Sequence, residues 1–86
     1  MTLKEAIYKC LESHFYPMTS RSVTEYIGRF YGYNTNDHTV SKTISGMYKD
    51  REMPLMYVWL KGNNGSNFKA WFIPRATPQE AQQEMF

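Results

Sequence analysis

The sequence predicts an α+β domain, with three helices in succession, then a β-hairpin and a short terminal helix. Three observations carry that prediction. Apolar residues recur at helical spacing in three consecutive segments, each opened by a capping residue. From Leu55 onward the pattern changes to runs of aromatic and β-branched residues. Between those runs stands Asn64-Gly65, a strong tight-turn pair.

Thr2, followed three residues on by Glu5, makes a capping box that opens the first helix. Leu3, Ile7, Cys10 and Leu11 then fall on one side of it, and Pro17 stops it. The residue before a proline avoids helical backbone, so "FYPM" is expected to add a short extended piece. Thr19 caps the second helix, whose stripe is Val23, Ile27, Phe30 and Tyr31, and Gly32 is suited to end it in the left-handed conformation. Asn36 or Asp37 opens the third helix, with Val40, Ile44, Met47 and Tyr48 as its stripe, and Pro54 ends the helical region.

In the hairpin, "LMYVWLKG" and "NFKAWFIP" flank "NNGS". With Val58 and Leu60 directed at the core, Tyr57, Trp59 and Lys61 face outward, as do Phe68, Ala70 and Phe72 of the partner strand. Thr77, Pro78 and Glu80 supply the cap, first-turn proline and box of the terminal helix. Residues 1–75 are thus expected to form one domain, and 76–86 a short helix or tail.

At 86 residues the chain is near the lower range in which one apolar core suffices. Aromatic residues make up 16% of it, so that core is expected to be built largely from rings. A single cysteine cannot close an internal disulfide, and no Cys/His cluster has zinc spacing, so a reducing, cytoplasmic setting and no structural metal are expected. The opening "MTLKEAIYKC" mixes charged and apolar residues and reads as neither signal peptide nor membrane span. His14 and Cys10 read as core or boundary residues, and neither histidine belongs to a nucleophile or acid–base motif, so catalysis is not expected. "GNNGSN" lies in a hairpin and not ahead of a helix, so it is no phosphate loop, and no cofactor is implied.

The net charge of +2 is too small to imply nucleic acid by itself. Its placement says more, because the positive excess falls in residues 18–33 and 51–74 and not in a basic tail. The third helix adds a sharper signal. Opposite its apolar stripe lie His38, Thr39, Lys42, Ser45, Gly46 and Lys49, flanked by Ser41 and Thr43, with no acid among them. Ordinary helix surfaces mix Glu with Lys. A glycine inside a helix also costs about 1 kcal/mol relative to alanine, which the close approach of another surface would explain.

The order helix, extended link, helix, tight turn, helix, hairpin resembles the winged helix-turn-helix family over residues 3–74. "MTSRSVTEYI" looks like that family's capped second helix and "HTVSKTISGMYKD" like its recognition helix. "YVWLKGNNGSNFKAWFI" looks like its wing, with Trp71 and Ile73 returning apolar residues to the core. Two departures stand out: "DREMP" replaces the common glycine before the wing, and the wing tip has no arginine to probe a minor groove.

The resemblance implies a binder of double-stranded DNA, a small transcriptional regulator or DNA-binding accessory factor. His38, Thr39, Lys42, Thr43, Ser45 and Lys49 would then face the major groove, with Asp37 at the helix start. Ser20, Arg21 and Ser22 would meet phosphates, and so would Lys61, Asn63, Asn64 and Lys69 of the wing, whereas Arg29 reads as solvated or ion-paired. An alternative use of the same fold is protein–protein interaction. Trp59 and Phe72, both placed outside the hairpin, would form an apolar patch that Met85 and Phe86 cover. Such cover fits within one chain or between two chains of a homodimer, and the sequence leaves both open.

Overall fold

A computed structural model describes residues 1–51 and 53–74. Helix α1 (Leu3–Glu12) is followed by the two-residue strand β1 (Met18–Thr19) and by α2 (Ser20–Tyr31). Helix α3 (Asp37–Asp50) leads into the hairpin strands β2 (Met56–Lys61) and β3 (Asn67–Phe72). The fold is α+β, three helices against a three-stranded antiparallel sheet in the order β1-β3-β2. The expected terminal helix, with Met85 and Phe86, lies outside the described residues. No described helix is long and apolar enough to cross a membrane.

The helices form where local chemistry directs them. The Thr2 hydroxyl accepts the Glu5 amide while Glu5 Oε1 accepts the Thr2 amide at 2.9 Å, the full reciprocal box. Hydrogen bonding to Thr2, through its backbone amide first and its side chain second, holds the Glu5 carboxyl below its ordinary range. Thr19 caps α2 through the Ser22 amide, and Asn36 caps α3 through the Thr39 amide at 2.8 Å. Gly32 ends α2 at φ 67°, as a left-handed cap. At the end of α3 the same conformation falls on Arg51, φ 54°, where a glycine would sit without steric cost.

The three stripes meet in one core. Ile7, Cys10 and Leu11 of α1 pack with Val23 and Ile27 of α2 and with Val40, Ile44 and Met47 of α3, all essentially inaccessible to water. Trp71 closes this core from the central strand, with Ile73 packed at its margin. Burial pushes the Cys10 thiol up to about 12, and its sulfur lies 3.6 Å from that of Met18. His14 is a boundary residue, its Nδ1 2.6 Å from the Cys10 carbonyl oxygen and its ring edge-on to Tyr16 and Tyr26.

Two stripe residues are exposed. Phe30 is 61% exposed, stacked on Tyr26 with the Arg29 guanidinium 5.7 Å from its centroid. Tyr48 is 42% exposed and meets Tyr57 and Trp71 edge-on at the top of the sheet. Periodicity sets the direction in which a side chain points, not whether anything stands there to cover it.

The hairpin departs furthest from expectation. A two-residue loop at Asn64-Gly65 would set Trp59 opposite Ala70 and Val58 opposite Trp71. Instead Gly62 accepts the Gly65 amide at 3.0 Å and donates to Ser66, and Gly65 takes φ 84°, so three residues form the loop. The observed pairs are Tyr57 with Trp71, Val58 with Ala70, Trp59 with Lys69 and Leu60 with Phe68. One residue of difference exchanges the two faces of β2. Val58 and Leu60 therefore point away from the helical core, and Tyr57 and Trp59 share the face of Trp71. Trp59 and Phe72 lie on opposite faces of the hairpin, so they form no common patch.

Candidate nucleic-acid interface

Packing Val40, Ile44 and Met47 inward leaves the far side of α3 uncovered. His38, Thr39, Lys42 and Lys49 are exposed there, and Ser45, Gly46, Ser41 and Thr43 are half-buried along its flanks. A methyl group added at Gly46 would meet nothing within 4 Å, so no part of the described chain requires a glycine at that position. The Thr43 hydroxyl donates to the Thr39 carbonyl at 2.8 Å, which commits its proton to the helix.

Beside this surface runs an open groove of about 730 Å³, bounded by the start of α2, the first half of α3 and the hairpin. It brings together five of the residues singled out from sequence: Ser20, Arg21, His38, Ser45 and Lys69. Thr39, Lys42, Thr43 and Lys49 lie on α3 outside the groove lining, and Lys61, Asn63 and Asn64 stand exposed at the hairpin's turn end. Ser22 is outside it too, its hydroxyl oxygen accepting from Thr19 at 3.1 Å as part of the α2 cap.

Two charged groups in the groove already have partners. Arg21 pairs with Glu25 at 3.6 Å, both exposed, an arrangement of small energetic value that a phosphate would displace at little cost. Lys69 is held more firmly. Its Nζ lies 4.6 Å from the Tyr57 ring centroid, 5.5 Å from Trp59 and 5.6 Å from Trp71. Three ring faces around one ammonium supply cation–π attraction and leave its charge unneutralised. Lys69 is thus an anchored cation in the wall of the groove, not a mobile arm at the tip.

Sequence reasoning missed Trp59 as a groove residue, whereas Asp37 stands at the helix start as expected. Trp59 is 60% exposed and stands beside Lys69, on the side of α3 and not on the outside of the hairpin. A signal for this was present: Trp71 was assigned to the core, and the three-residue loop makes Tyr57 and Trp59 share its face. Asp37 is the carboxylate of the lining, at the helix start where the backbone dipole favours it. It repels phosphate locally and can accept a hydrogen bond from an amino group. The groove therefore offers cations and hydroxyls beside the rings of Trp59, Phe68 and Trp71, with one carboxylate at its end.

Among the described residues no group of three or more His, Cys, Asp or Glu side chains is placed to hold a metal ion. No protein-family description, characterised protein or solved structure matches the chain.

Proposed function

We propose that this chain is a winged-helix domain that binds duplex DNA, serving as a small transcriptional regulator or accessory factor. One observation carries the reading: the outer side of α3 that bears Thr39, Lys42, Gly46 and Lys49 is acid-free, open and unobstructed at Gly46, and the groove between the start of α2 and the hairpin runs along its flank. A major groove about 12 Å wide admits a helix whose outward side chains are short and can donate hydrogen bonds. Thr39 and Ser45 meet that requirement, Lys42 and Lys49 add longer cationic donors, and His38 lies at the margin. Arg21, Lys61 and Lys69, on three different elements, would hold the phosphate backbone. In this reading β2 and β3 form the wing, and the domain acts by binding rather than by catalysis.

Fluorescence anisotropy of a labelled random-sequence duplex, titrated at several salt concentrations, tests it. The expected result is a log–log salt slope near −0.9 per contacted phosphate for about four to six contacts. Lys42→Ala and Lys61→Ala should each weaken binding, and the phosphate-contacting lysine should reduce the slope by about one contact. No binding at low salt would overturn the proposal.

The apolar outer face of the hairpin favours a second reading, a winged-helix module for protein–protein contact. Met56, Val58 and Leu60 are exposed there, and Phe68, also exposed, reaches the groove lining. Trp59, first assigned to that patch, belongs to the other side. Wild-type partner binding that survives Lys42→Ala and is lost on Leu60→Asp would favour this second reading.

A further inference from the structure

We propose that β2 is the joining edge of a homodimer, two copies pairing antiparallel along Met56–Lys61 into one six-stranded sheet. This inference does not rest on the DNA reading. In the order β1-β3-β2, β2 is hydrogen-bonded to β3 on one side, and no described strand lies on the other. An outer strand carries a row of backbone donors and acceptors that only another strand can pair in register.

The two edges of the sheet are protected very differently. Strand β1 is two residues long, preceded by Pro17 and followed at once by α2, so it offers almost nothing to pair with. Strand β2 has six residues, no proline and an uninterrupted ladder to β3 without a bulge. Every residue of it except Tyr57 is exposed. Edges left free in monomers are blunted by proline, by bulges or by charges within the strand. Here the lone charge is Lys61, at the very end.

The sequence of β2 suits it to its own copy. Antiparallel pairing puts the two Lys61 ammoniums at opposite ends of the seam, whereas parallel pairing would stack them. A two-fold axis perpendicular to the sheet preserves its faces, and placed on Val58 it sets Val58 against Val58, Met56 against Leu60 and Tyr57 against Trp59. Each of these pairs is apolar or aromatic, the kind that stabilises a ladder. On the outer face Met56, Val58 and Leu60 of both copies then join into one stripe. Residues 75–86 are a poorer occupant, because "RATPQEAQQEMF" holds one β-branched residue among glutamines, glutamates and a proline.

Sedimentation equilibrium of the full chain, without DNA, from about 1 μM to 1 mM tests the pairing by mass action. The expected result is a mass rising from monomer toward dimer, with exchange of the β2 amides slowing over the same range. Val58→Lys sets two ammoniums face to face on the axis and should raise the dissociation constant by roughly tenfold or more. Val58→Cys should instead form a covalent dimer under mild oxidation, since opposed Cβ atoms lie about 5 Å apart. A monomer at every concentration overturns the proposal, as does a dimer that Val58→Lys does not weaken. A wild-type dimer whose Val58→Cys variant never cross-links overturns the Val58-centred register.

Discussion

Two surfaces of this small domain stand uncovered, and they differ in kind. The far side of α3 is polar and cationic, built from Thr39, Lys42, Ser45 and Lys49 around Gly46. The outer face of the hairpin is apolar, built from Met56, Val58 and Leu60. Water satisfies the first and not the second. The difference teaches that exposure has two meanings here. On α3 it leaves hydrogen-bonding groups available to a charged partner, and on β2 it leaves apolar area together with an unpaired backbone edge.

Trp71 lies beneath both surfaces. Its ring meets Tyr48 of α3 and Tyr57 of β2, and carries the Lys69 ammonium above it. Trp71→Ala should cost about 3–5 kcal/mol in chemical denaturation and disable both surfaces together. Leu60→Ala, on the exposed face, should cost the dilute protein no more than about 1 kcal/mol. Equal losses would mean that the outer face is packed in solution.

Alkaline pH probes the core that both surfaces share. Cys10, buried, is raised from an ordinary 9.0 to about 12. The unfolded chain therefore releases this proton at lower pH than the folded one does. The contribution to stability is whole below about pH 9 and is lost as pH rises toward 12. Denaturation across that window should show a steeper alkaline decline for the wild type than for Cys10→Ala. Matching slopes would show that the thiol ionises freely in the folded state.

Gly46→Ala has open space and helical backbone, so it should stabilise the free protein by roughly 0.5–1 kcal/mol. In the DNA reading the same methyl group obstructs close approach, and duplex affinity should fall. Greater stability with unchanged affinity would remove Gly46 from the interface.

Most of the helical half was legible in the sequence, because caps and stripes act through neighbours three or four residues away. Thr2, Thr19, Asn36 and Gly32 each do locally what their residue type suggests. The α3 part of the candidate site was legible for the same reason, since helical period alone places Lys42 and Lys49 opposite Ile44. The groove was not. It depends on Ser20, His38 and Lys69 meeting from three elements, and on Trp59 facing the side of α3.

Local pattern is thus enough for three capped helices, one shared apolar core and a hairpin with Trp71 turned inward. The remaining features arise from packing between elements. Whether Phe30 is covered depends on what stands beside the last turn of α2, which no local pattern encodes. Whether Trp59 lines the groove depends on the parity of a loop, because strand side chains alternate and a three-residue turn reverses what a two-residue turn would set.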